Sequence, residues 1–286
     1  MSIDLSWIGR ELGPSPISWS PETCMLYALG VGAGVDDLEL TTENSEGVAL
    51  RVLPLFVTSL SRTGWGDLHV LSFGSYGAHQ VVHAAQRVEL HRPLAPAGRA
   101  DAVLRIAGIW DVRAGALVEM VTTARDPESG QPLFESSTSL FIAGEGGFGG
   151  PRGGVRGGPR PPRRPPDETV VHVTRPDQAL LFRLSGDHTP IHTDPVVAKR
   201  AGFARPILHG LCTLGFAGRA LLAHACGGDP ARFRSLDARF SRPAYPGDTL
   251  VTDIWLDSES ASFETRNERG ESLIERGHLA FAKAQG

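Results

Sequence analysis

Apolar positions along the chain fall into two kinds of run. Short runs rich in β-branched and aromatic residues end at Gly, Asp and Pro signals and predict strands. The first half has three of them, "AVLRIAGIWDV", "ALVEMVTTARD" and "PLFESSTSLFIA". The second half has four, "SLDARFSRPA", "DTLVTDIWLD", "ASFETRN" and "SLIERGHLAFA". More continuous apolar runs predict helices: "VLPLFVTSL" in the first half and the longer "ILHGLCTLGFAGRALLAHA" in the second. A helix followed by several antiparallel strands, twice, predicts an α+β protein of two related units, each sheet wrapping its own helix.

Between the units the pattern vanishes. Residues 144–166, "GEGGFGGPRGGVRGGPRPPRRPP", have almost nothing apolar to bury and predict a linker, leaving units at 1–143 and 167–286. The linker arginines (Arg152, Arg156, Arg160, Arg163, Arg164) lack interleaved aromatics, so a solvated connector that brushes an anionic ligand is preferred to a nucleic-acid site. The formal net charge of −4 over 286 residues adds no argument for a nucleic acid or a membrane surface. No stretch reaches the roughly 18 apolar residues of a membrane helix, and neither a signal peptide nor a Ser-Lys-Leu ending is present. Cys24, Cys212 and Cys226 lie far apart, without metal-ligand spacing, which argues against a disulfide framework and for a reducing cytoplasm.

Chemistry concentrates in residues 184–216, "LSGDHTPIHTDPVVAKRAGFARPILHGLCTLGF". Asp194 is an N-cap candidate, Pro195 fits the first helical position and Gly202 falls just past the end, so a short helix follows His192. Pro190 opposes an α-helix between Asp187 and His192, which places both side chains on a turn pinned by that helix. Taken singly, Asp187 reads as a turn aspartate bonding its own backbone and His192 as a half-buried filler. Their spacing, ahead of a glycine-opened helix, favours an acid/base pair. The amides near His209, Gly210 and Leu211 would stand at the positive end of that helix, where a developing negative oxygen is stabilised, and Gly210 lets a carbonyl approach closely; a glycine needed only for tight helix entry is the competing reading.

The stretch 182–216 resembles the signature of the MaoC-like, or type 2, enoyl-CoA hydratases, Gly-Asp-x-Asn-Pro-Leu/Ile-His-x-Asp-Pro followed by Pro-Ile-Leu-His-Gly. "ARFSRPAYPGDTLVTDIW" is similar to the strand and turn that close the same unit. In the first half, "ISWSPETCMLYALGVGAG", "VLPLFV", "VVHAAQRVELHRPL", "RAGALVEM" and "SLFIAGEGGFGG" resemble the non-catalytic half of two-unit members. The resemblance covers nearly the whole chain and implies a double hot-dog fold. It also implies hydration of trans-2-enoyl-CoA to (R)-3-hydroxyacyl-CoA without metal or redox cofactor. On it, Asp187 and His192 become the acid/base pair and Gly210 the amide donor to the thioester oxygen. Beside them, Thr189, His209 and Leu211 are expected to be substrate-binding residues. The first half has no matching Gly-Asp-x-x-Pro-x-His, only "YALGVGAG", so one site per chain is expected, with room left for a bulky acyl group.

The sequence departs from the family at Thr189, where Asn is usual, and at "HAAQ" (His83 to Gln86), where His-Gly-Glu-Gln is usual. A hydroxyl offers one donor and a shorter reach than an amide, so whatever the Asn orients is oriented differently here. Two other readings compete with the hydratase: a thioesterase of the same fold, and a catalytically silent acyl-binding protein for which Thr189 is the argument. The expected partner is an acyl-CoA or acyl-carrier-protein thioester, with Arg205, Arg239 and Arg242 as candidates for its phosphates. A further homodimer is compatible with the fold.

Overall fold

A computed structural model describes residues 3–61, 73–154 and 157–283. The first half supplies strands β1 (Glu11–Trp19), β2 (Val81–Leu90), β3 (Gly98–Asp111), β4 (Gly115–Arg125) and β5 (Pro132–Ala143). The second supplies β6 (Glu168–Val173), β7 (Phe233–Phe240), β8 (Thr249–Leu256), β9 (Ser260–Asn267) and β10 (Ser272–Phe281). All ten join one antiparallel sheet in the order β1-β3-β4-β5-β2-β7-β10-β9-β8-β6. Read outward from the central β2–β7 seam, each half gives its second, fifth, fourth, third and first strand. The duplication legible in the sequence is therefore a two-fold repeat of topology, the arrangement of a double hot-dog.

The seven expected strands form, with ends within a few residues. Three further strands, β1, β2 and β6, have weaker patterns. β1 carries Pro14 and Pro16, and β6 leaves Val171 and Val173 exposed; both lie at the edges of the sheet, where proline and an unpaired flank are tolerated. β2 holds the seam through five residue pairs, from Ala85 opposite Arg239 to Glu89 opposite Ser235.

Helices cover the inner face. They are α1 (Pro21–Gly30), α2 (Leu38–Thr41), α3 (Val57–Leu60), α4 (Gln178–Phe182), α5 (Pro195–Arg200) and α6 (Gly210–His224). α6 is the long helix expected of the second half, with Leu211, Cys212, Leu214, Phe216, Ala217, Ala220, Leu221 and Leu222 buried. The run expected as the helix of the first half is shorter: Pro54 opens a 3-10 turn (Pro54–Phe56) that passes into α3. Tyr27, Leu55, Phe182, Phe216, Phe134 and Phe263 belong to one core shared by both halves. A second core, farther along the same face of β3 and β4, gathers Ile3, Phe73, Ile106, Ile109 and Met120; Ile106 and Met120 continue the alternation of Ala102 and Ala124 in the first core.

Segment 144–166 is bonded to the sheet rather than merely solvated; its Arg156 lies outside the described residues. The Asp111 carboxylate accepts from the Gly147 and Gly149 amides (2.9 and 3.0 Å). Farther on, Gly158 donates to the Arg276 carbonyl (2.9 Å) and the Arg276 guanidinium donates back to the Gly158 carbonyl (3.0 Å). Glycine permits this approach, because a Cβ at Gly158 would stand 2.4 Å from Cβ of His278.

Candidate active site

α4 runs into a 3-10 turn (Arg183–Ser185) that stops at Gly186, whose φ of +115° is open to glycine at no steric cost. The reversal delivers Asp187, 9 % exposed, beneath the second half's central helix. Thr189 is extended at ψ 121°, as a residue before proline must be, and Pro190 opens a second 3-10 turn (Pro190–His192). The expectation that proline keeps this stretch out of an α-helix holds, with one tighter turn in its place. Asp194 then caps α5, its carboxylate accepting from the Val196 and Val197 amides (2.7 and 3.3 Å). α5 ends before Gly202.

Three side chains converge here. The ligand atoms of Asp187, His192 and His209 all lie within 4.8 Å of one another. That spacing suits one water bonded to two of them at about 2.8 Å each. Asp187 Oδ1 accepts from the Thr189 hydroxyl (2.6 Å) and from the Thr189 amide (3.1 Å). His192 Nδ1 lies 2.9 Å from the Ile207 carbonyl. A carbonyl only accepts, so Nδ1 carries the proton and the lone pair of the neutral ring is on Nε2. The His192 and His209 rings stack with centroids 3.7 Å apart and planes 25° apart. Imidazole lone pairs lie in the ring plane, so nearly parallel rings do not direct both at one ion, and the cluster is a poor fit to a shared metal in this arrangement.

Gly210 and Leu211 open α6, where the first amides have no acceptor within the helix. A Cβ at Gly210 would stand 3.3 Å from the Phe240 ring, so glycine keeps this approach open. Phe240 in turn packs against His83 of β2 (centroids 4.7 Å apart), which brings the first half to the edge of the site. Phe240 had no signal in the sequence beyond its place in a strand. Two residues into α6, burial pushes the Cys212 thiol well above its ordinary pKa, so no thiolate nucleophile is offered there.

The remaining expected residues divide. Leu211 contributes its side chain to the core, leaving only its amide near the site. His209 is 1 % exposed, its ring packed within protein between His192 and Phe182. Arg205 donates to the Pro246 carbonyl (2.8 Å), covers the Tyr245 ring and pairs with Asp248 (3.6 Å), yet half of its side chain stays exposed. Arg239 is not brought to the site: neighbouring strand residues point to opposite faces, and with Phe240 directed at Gly210, Arg239 faces segment 144–166 and Glu275 (3.4 Å). Arg242 is exposed and pairs with Glu271 (3.4 Å).

Comparison with known proteins agrees with this arrangement. Residues 159–276 match the MaoC like domain family, and residues 18–144 match the MFE-2 hydratase 2 N-terminal domain family. The chain is 44 % identical over 258 residues to 3-hydroxyacyl-thioester dehydratase Y of Mycobacterium tuberculosis, covering 89 % of this chain and 88 % of that protein. The solved structure of a MaoC-like dehydratase from Phytophthora capsici superposes with a TM-score of 0.89 at 31 % identity, covering 98 % of both chains. A second Mycobacterium tuberculosis protein, described as a double hot-dog fold, superposes with a TM-score of 0.60 at 14 % identity over 96 % of both chains, a likeness of fold alone. With a family match in each half and such identity along most of its length, the chain belongs to the MaoC-like hydratase 2 family, as two hot-dog units in one polypeptide.

Proposed function

We propose that the protein is an (R)-specific enoyl-CoA hydratase, or 3-hydroxyacyl-thioester dehydratase, that adds water across a trans-2-enoyl thioester or removes it from the hydroxyacyl product. It is thus a hydro-lyase, with an acyl thioester as substrate. The observation that carries the reading is the Asp187–His192 pair held beside the opening amides of α6. Water addition needs a nucleophilic water, a proton delivered to Cα and support for an enolate-like oxygen. The carboxylate and the Nε2 lone pair of His192 hold the water and share the proton transfers, each contributing roughly 10² to 10⁴ in rate. The Gly210 amide, at the positive end of α6, receives the thioester oxygen as it gains charge, a contribution of about 3 to 4 kcal/mol by analogy with other oxyanion donors.

Residues 167–286 form the catalytic unit in this reading, and residues 1–143 cover it and leave room for the acyl group. Among the segments described between β1 and β2, α1, α2 and α3 are all shorter than α6, which supports that division. Arg205 is the remaining candidate for a substrate phosphate. A reducing compartment such as the cytoplasm suits three free thiols, Cys24, Cys212 and Cys226, all buried. Among the described residues no helix is long and apolar enough to cross a membrane.

The test follows the enoyl absorbance of a medium-chain trans-2-enoyl-CoA. Wild type should consume it, and Asp187→Asn and His192→Ala should each lose about 10² to 10⁴ in kcat. Release of free thiol from a saturated acyl-CoA, without hydration, would replace this reading by a thioesterase. The silent acyl-binding reading rested on Thr189, which in this structure orders the Asp187 carboxylate.

A further inference from the structure

We propose that His209 is a positioning residue for the Asp187–His192 pair, acting through both of them without touching substrate. This rests on the hydratase reading of the same site. A fully buried imidazole is costly in a core unless its polar atoms are used. His209 uses its ring twice. Nε2 lies 3.1 Å from the main-chain carbonyl of Asp187. Because that carbonyl can only accept, His209 carries its proton on Nε2 and ties down the backbone that bears the carboxylate. The flat face of the same ring lies against His192 at 3.7 Å, with Phe182 next to His209 at 5.0 Å. The tilt of His192 is therefore set from both sides, by the Ile207 carbonyl at one edge and by His209 on one face.

The main chain of His209 adds a third link. Its carbonyl accepts from the Cys212 and Thr213 amides (3.0 and 3.1 Å), which starts α6 at the next residue, Gly210. One residue thus registers the carboxylate, the imidazole and the oxyanion amide against one another. Two substitutions separate these roles: phenylalanine keeps the ring face without the donor, and glutamine keeps a donor without the ring.

The experiment compares His209→Phe and His209→Gln with wild type, reading kcat and KM separately for the enoyl thioester, with circular dichroism as a check on folding. Each variant should lose about tenfold to a hundredfold in kcat, the scale of an ångström-sized misplacement, with KM within about threefold. If His209 only fills space, His209→Phe keeps its kcat, and that result overturns the proposal. A second measurement uses the wild type alone. Nitrogen-15 spectra of the labelled histidines should show His209 protonated on Nε2 and His192 on Nδ1; the opposite tautomer at His209 overturns the proposal whether or not the variants fold. A wild type without hydratase turnover defeats the functional reading, and the tautomer measurement still decides the arrangement.

Discussion

Thr189 acts twice on Asp187, since its hydroxyl and its amide both donate to the same carboxylate oxygen. Thr189→Val keeps the shape and removes one charge-assisted donor, so kcat should fall about tenfold with little change in KM, while Thr189→Ser should stay near wild type. Steady-state kinetics on the enoyl thioester checks this; equal loss in both variants would show that shape, not the hydroxyl, matters. His172 on β6 gives a pH prediction away from the site. Burial, with Arg219 adding to it, lowers its pKa from 6.5 to about 4. Between those values the unfolded chain binds the proton that the folded chain refuses, so His172 supports folding fully above pH 6.5 and this support is lost as pH falls toward 4. Unfolding free energies from denaturant titrations between pH 7.5 and 4.5 should fall more steeply for wild type than for His172→Phe, by about 1 to 2 kcal/mol at the acid end after allowance for partial exposure. Parallel curves would remove the assignment. At this scale the sequence pointed to Asp187, His192 and Gly210 through the turn, cap and helix start between them. It could not tell that His209 faces protein or that Arg239 points away, because side-chain direction depends on what packs against each element.

Short elements hold the site in place. α5 has only one buried residue, Ala198, so its cap carries much of its order. Asp194→Ala removes both cap hydrogen bonds and should cost about 1 kcal/mol. Because α5 follows His192 so closely, kcat should fall by more than that loss of stability alone implies; unfolding in urea and initial rates measured side by side test the point. The cap was readable from "TDPVV" since it depends on four adjacent residues. α6 was readable from its long apolar run. The seam strand β2 was not, because its polar and apolar positions reflect two neighbours, β5 and β7, that only the folded sheet supplies.

In the whole molecule, the two halves share a core and a sheet, and Arg219 ties them at a further point. From α6 its guanidinium donates to the Val31 carbonyl (3.3 Å) and to the Asp37 carboxylate (2.8 Å), both in the first half, and its side chain is 13 % exposed. Arg219→Ala should lower stability by roughly 1 to 3 kcal/mol, and Arg219→Lys should recover part of it, since an ammonium lacks the planar fork that reaches both acceptors. Denaturant midpoints decide this; an unchanged midpoint in Arg219→Ala would mean the clamp adds nothing. By itself the sequence determined what neighbouring residues enforce: the strand runs, the long helix, the proline-bounded turn with its carboxylate and imidazole, and the two-unit repeat that a pattern written twice reveals. Only the tertiary structure decided what distant residues do together. It joined the two sheets at β2 and β7, placed Phe240 and His83 beside Gly210, laid His209 on His192, and turned Arg239 to the outer face. Local patterns are set by backbone sterics and capping within a few residues, whereas these contacts follow from how helices and sheet pack, which no short stretch of sequence contains.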